Sequence, residues 1–187
     1  MKHLLTTLVL SLFVSLPTQA LTIKDVDVKE TMQLDNQELV LNGAGVRTKM
    51  FVDGYIAALY LTEKSQNAEA IIAAEKPMAV RLIITSNLIS PKRMSDSTRD
   101  GFISSTGGNI APIAKEVEEL ISAFKDSVEK GDVFDLVYQP ETGVTVYRNG
   151  EKKTSVQGLE FKKAMFGIWI SKGTIQKDLR TKMLGSK

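Results

Sequence analysis

The chain has 187 residues, 24 Lys and Arg against 22 Asp and Glu, no cysteine, and one histidine, His3. Charges of both signs are interspersed at near balance, so the basic face that a phosphate backbone requires is missing and no nucleic-acid partner is expected. The lack of cysteine, and of any histidine beyond position 3, excludes disulfides, Cys/His zinc sites and Ser-His or Cys-His nucleophilic machinery from a chain that loses its first residues. No metal and no cofactor is expected.

Residues 1–20 read as a secretory signal peptide. Met1-Lys2-His3 is a short basic start, Leu4 to Leu16 is almost wholly apolar, and Pro17-Thr18-Gln19-Ala20 supplies the small residues of a cleavage site. The apolar run is shorter than the ~20 residues that span a bilayer. No later stretch is long and apolar enough to span, so no membrane span is expected after cleavage. Lys2 leaves with the leader, which takes 24 cations to 23 against 22 anions. Residues 21–187 then suit a single domain, periplasmic or secreted, large enough to stabilise itself by core packing.

Along that domain, residues 21–36 alternate weakly (Ile23, Val26, Val28, Met32, Leu34) and predict an opening strand or two, with Asp35-Asn36 as a turn. Leu39 to Leu61 is dense in strand formers and predicts two strands with a reversal between them. Asp53-Gly54 is one hairpin signal, and the polar Arg47-Thr48-Lys49 competes with it. Asn67 to Glu75 predicts a short helix ending before Pro77, and Ala79 to Ser86 a buried strand. Ser90-Pro91 starts a helix that carries Met94 and Phe102 inward and stops at Gly107-Gly108. Val117, Leu120, Ile121, Phe124 and Val128 recur at helical spacing, predicting a second helix over 110–130 that Gly131 ends. Strands follow over 133–139, 143–148 and 152–156, turned by Pro140 to Gly143 and by Asn149-Gly150. Leu159 to Ile170 predicts a largely apolar helix, and Ile175 to Leu184 a final short one. Strands, helices, strands and helices in blocks, without regular βαβ alternation, predict an α+β domain: an antiparallel sheet covered by helices on one face. A cleft between two such layers is a natural place for a small ligand.

Leu41-Asn42-Gly43-Ala44-Gly45-Val46-Arg47 is the most informative stretch. Its glycines let another backbone or a ligand come close, and Arg47 beside such a gap suits a carboxylate or phenolate. Tyr55 and Tyr60 have opposite strand parity, so one points into the cleft when the other points away. Arg81, a lone charge in an apolar strand, reads as a sheet-pairing residue. Phe161, Met165, Phe166 and Trp169 read mainly as core. Glu116, Glu118 and Glu119 fall on the polar side of their helix and form no catalytic pair.

Three segments resemble one family. Gly43 to Arg47 looks like the Gly-Ala-Gly-Val-Arg strand of chalcone isomerases, and Tyr55-Ile56-Ala57-Ala58-Leu59-Tyr60-Leu61 looks like the strand after it. The helix from Phe161 to Ile170 with its tail to Gly185 is similar to the closing helices of the bacterial, secreted chalcone-isomerase-like group. The resemblance covers roughly residues 30–185 and implies an open-faced β-sandwich. In the plant enzymes it points to, the arginine holds the oxyanion of a chalcone during ring closure. In the fatty-acid-binding members, the arginine and a tyrosine on the next strand hold a lipid carboxylate. Arg47 matches that arginine. Tyr55 aligns with the next-strand hydroxyl across a segment shorter than in plants, and a tyrosine there favours binding. The other polar residues that orient substrate in the plant isomerases have no match here. The resemblance therefore implies a periplasmic binder of an amphipathic carboxylate or phenolic ligand, a fatty acid or aromatic acid, held by Arg47 and Tyr55. The alternative is an intramolecular lyase or isomerase using Arg47 as its oxyanion stabiliser. A third reading is a structural partner of another envelope protein, its cleft filled by side chains.

Overall fold

A computed structural model describes residues 20–186. The expected leader lies, apart from Ala20, outside them. The order is β1 (Leu21–Ile23), β2 (Val26–Val28), β3 (Thr31–Leu34), β4 (Gln37–Lys49), β5 (Val52–Leu61), α1 (Ala68–Ala73), β6 (Met78–Ile84), α2 (Pro91–Ser105), a 3₁₀ turn (Ala111–Ile113), α3 (Ala114–Ser122), β7 (Val133–Gln139), β8 (Gly143–Arg148), β9 (Glu151–Val156), α4 (Leu159–Ile170) and α5 (Lys177–Met183). Strands β3 to β9 form one seven-stranded sheet in sequence order, every pair antiparallel, and β1 and β2 form a separate hairpin. This is the expected α+β architecture.

Strand periodicity divides the core in two. Ala57, Leu59, Val80, Leu82, Phe134 and Leu136 point toward the helices and join Phe102, Leu120, Phe161 and Phe166 in the larger cluster. Ile56, Ala58 and Tyr60 point the other way, into a smaller cluster closed by Val28 of the β1–β2 hairpin. On that far face Arg81 lies opposite Asp135 in register and makes a two-pronged ion pair with it, at 2.7 and 2.9 Å. It is the sheet-pairing residue expected from sequence.

Helix α2 begins as its sequence predicts, with Ser90 Oγ accepting from the Arg93 amide and Pro91 in the first turn. Two expectations are corrected. The reversal between β4 and β5 is at Met50-Phe51, so Arg47-Thr48-Lys49 belongs to β4 and Asp53-Gly54 to β5. The helix expected over 110–130 is α-helical only from Ala114 to Ser122. Its end unwinds through i→i+3 bonds at Ala123, Phe124 and Lys125. Phe124 stays buried, edge-on to Phe134 with ring centres 5.3 Å apart. Phe124 and Val128 thus keep an apolar spacing that looks helical while lying on a loop. The Asp132 carboxylate gathers that loop, accepting from the Glu129 amide, Arg148 and Asn149.

Helix α4 is buried almost all round, and it carries a lysine into the core. Lys162 is fully buried and donates to the Ile72 and Ala74 carbonyls at 2.8 and 2.6 Å, with Nζ 4.9 Å from the Tyr138 ring centre. It ties the end of α1 to the core. Burial pushes its ammonium down to about 8, helped by the charge of Lys163 and opposed by Glu75. The folded value lies below the unfolded one, so between pH ~8 and ~10.4 the unfolded chain binds more protons and stability rises with pH. Denaturant titrations at pH 8 and pH 10 should show wild type gaining about 2 kcal/mol more than Lys162→Met over that interval. Parallel profiles for the two proteins would contradict this assignment. Among the described residues, no helix is long and apolar enough to cross a membrane.

Candidate functional site

Two bulges shape the β4–β5 pair. Leu41 opposes Tyr60 and Gly43 opposes Leu59, which leaves Asn42 as an extra residue. Arg47 opposes Tyr55 and Thr48 opposes Asp53, which leaves Gly54 as another. Between the bulges, Gly43, Gly45 and Arg47 share the helix-facing side with Tyr55 and Ala57. Arg47 and Tyr55 are therefore cross-strand neighbours, while Tyr60 faces away and donates to the Lys29 carbonyl.

The glycines admit protein backbone. A Cβ on Gly43 would lie 2.1 Å from the Lys182 carbonyl oxygen, so α5 presses directly on β4 there. Asn42, nearly buried, donates to the Met183 and Ser65 carbonyls at 2.9 Å each and so fastens the end of α5. The gap read from the sequence beside Arg47 is thus filled by a helix, and the open space lies on the other side of the arginine.

The start of α5 also holds Arg47. Gln176 Oε1 accepts from Arg47 Nη1 and from the Thr48 amide, both at 3.0 Å, and its Nε2 donates to the Val46 carbonyl at 3.0 Å. The Gln176 amide thus uses the strand's open backbone groups next to the bulge. Arg47 Nη1 also donates to the Thr48 carbonyl at 2.6 Å. Among the described residues, Arg47 has no carboxylate partner, and its Nη2 and Nε have no hydrogen-bond acceptor. The guanidinium is pinned at one corner with two corners uncommitted.

Tyr55 is held from behind. Trp169 Nε1 donates to its hydroxyl at 3.2 Å. Burial pushes the phenol up, against the opposing pull of the Trp169 bond and of the Arg47 guanidinium, which acts by its charge and by its hydrogen-bonding influence on the hydroxyl. At neutral pH the group is a neutral hydroxyl that receives one bond and retains its own proton to donate.

A cavity of about 490 Å³ opens in front of these two groups. Val52 and Gly54 of β5, Leu88 and Ile89 of the loop before α2, and Ser97 of α2 line it, with Arg93 and Lys49 near its edge. Among the described residues Asp96 is its only carboxylate, and Lys92 engages that at 2.6 Å. A void of about 30 Å³, walled by Leu82, Phe124, Leu136 and Trp169, lies where Tyr55 and Ser97 again contribute. That is room for about one water or methyl group. The outer cavity is of the size small-molecule sites have, apolar on its walls with a few convergent donors.

Arg47 and Tyr55, the two expected site residues, are brought together here. Phe161, Met165 and Phe166 are core, as expected, and Trp169 adds a polar contact to its packing. Sequence reasoning missed Gln176, Arg93, Lys49 and Asp96. Only Trp169 had a usable signal, since a buried indole N–H needs an acceptor. Among the described residues no cluster of His, Cys, Asp or Glu is placed to hold a metal.

A family model described as chalcone isomerase-like matches residues 20–185. No curated protein matches the sequence. Among solved structures, the fatty-acid binding protein of Arabidopsis thaliana superposes with a TM-score of 0.69 at 15% identity, covering 89% of this chain and 96% of that one. At that identity the likeness is one of fold.

Proposed function

Because the chain belongs to the chalcone isomerase-like family, we propose that it is a periplasmic or secreted binding protein for an amphipathic carboxylate, a fatty acid or aromatic acid. The acidic head sits on Arg47 and Tyr55, and the tail lies along Val52, Leu88 and Ile89. One observation carries this reading: the free corners of Arg47 and the free proton of Tyr55 meet at one apolar-walled cavity. A guanidinium fork and a phenol together give a carboxylate two or three charge-assisted hydrogen bonds in a partly dry setting. The solved relative named as a fatty-acid binding protein has the same fold, which supports the choice of ligand class.

Binding is preferred to turnover because Asp96, the carboxylate that could serve as a general base, is engaged by the Lys92 ammonium at 2.6 Å. The test is retention. Purified protein mixed with hexadecanoic acid or its methyl ester is analysed by native mass spectrometry. One acid per chain is expected to stay bound, and the ester is not. Equal retention of both, or of neither, would refute a carboxylate site.

A further inference from the structure

The β4–β5 turn breaks two rules at once. Lys49 opposes Val52, so Met50 and Phe51 are the two central residues of a tight hairpin, with φ of 50° and 66°. Both positive angles mark a type I′ turn, the geometry that favours Asn-Gly because bulky side chains are strained in it. Both side chains are also held out in water, Met50 at 85% and Phe51 at 103% exposure. Leu88, 57% exposed, stands on the loop across the cavity, and Met50 and Leu88 both line its opening. A strained turn that shows its two largest apolar groups to solvent is expected where a partner takes them up.

Charge indicates which partner. Arg47, Lys49, Arg93 and Asp96 line the cavity, with Asp100 against Lys49 and Lys92 against Asp96, so the rim among the described residues carries four cations and two carboxylates. Apolar tips with cations behind them match a bilayer interface, where side chains enter the acyl boundary and basic groups meet anionic headgroups. A second copy of the chain suits the surface less well. A stable dimer needs ~800 Å² from each partner, and three projecting side chains offer a point, not a face.

We propose that the Met50-Phe51 tip and Leu88 dock the protein on an anionic phospholipid surface with the cavity mouth facing the membrane. The site would then take up or deliver its amphiphile at the bilayer. The docking itself does not depend on what the cavity holds, and its test leaves Arg47 and Tyr55 untouched.

Vesicle flotation of the purified protein is the experiment. Wild type should float with vesicles of equal parts phosphatidylglycerol and phosphatidylcholine, and about tenfold less well with phosphatidylcholine alone. The double variant Met50→Asn/Phe51→Gly gives the turn the residues its geometry favours. It should melt at or above the wild-type temperature while its vesicle affinity falls at least ~tenfold. A variant that floats like wild type, or a wild type that ignores anionic vesicles, would overturn the proposal. So would a wild-type dimer that the double variant dissolves, since the tip would then serve a second copy.

Discussion

Arg47→Ala is expected to weaken binding of a long-chain carboxylate roughly a hundredfold. The two free guanidinium corners face the cavity. Each hydrogen bond to a charged group contributes about 1.5–3 kcal/mol, and ~1.4 kcal/mol is a factor of ten in affinity. Arg47→Lys should recover part of the loss, because it restores the charge without the fork. Isothermal titration reads both. Folding should change little, since the arginine's own bonds are to Gln176 and the Thr48 carbonyl on a strand edge that Gln176 continues to hold by its backbone contacts. An alanine variant that binds at wild-type affinity would remove the head group from Arg47.

The second large effect is on stability. Gly43→Ala should cost about 3 kcal/mol or more, because the new methyl has nowhere to go. Its nearest neighbours are all main chain of α5 and its end: the Lys182 oxygen at 2.1 Å, the Met183 oxygen at 2.9 Å and the Gly185 nitrogen at 3.0 Å. For a domain of this size that corresponds to a fall of very roughly 6–12 °C in melting temperature. Gly45→Ala is the internal comparison. Its methyl would meet side-chain atoms and not main chain: Leu179 Cδ1 and Lys182 Cδ at 3.0 Å and Lys182 Cβ at 3.1 Å. It should cost about a third as much. If Gly43→Ala melts like wild type, α5 is not seated on β4 as described. The same variant should also weaken ligand binding, since α5 begins beside Gln176, which anchors Arg47.

The glycine effect shows what could be read in advance. Gly43 and Gly45 announce close approach, but a glycine carries no information about what approaches. The identity of α5 as the neighbour comes from Asn42 and Met183, 141 positions apart in sequence. The strands of β7 and β8 and the bounds of α4 were legible because alternation and turn residues agree there. The β4–β5 reversal was hidden for the opposite reason. Asp53-Gly54 has good turn chemistry and is spent on a bulge, while the real turn uses Met50-Phe51, whose residue types argue against it. Phe124 and Val128 misled because burial, not helix formation, sets their spacing. Arg47 and Tyr55 were legible as a pair only through the family resemblance, since the register that puts them side by side depends on the hidden reversal. Gln176 was not, because a glutamine before a short helix has no signature until β4 presents the backbone groups it binds.

A crystal structure of the protein with hexadecanoic acid would decide whether the site grips an acid. The carboxylate is expected within hydrogen-bond distance of both the Arg47 guanidinium and the Tyr55 hydroxyl, with its chain against Val52, Leu88 and Ile89. An acid bound with its head in solvent and its tail at Arg47, or bound on another face of the sheet, would contradict it.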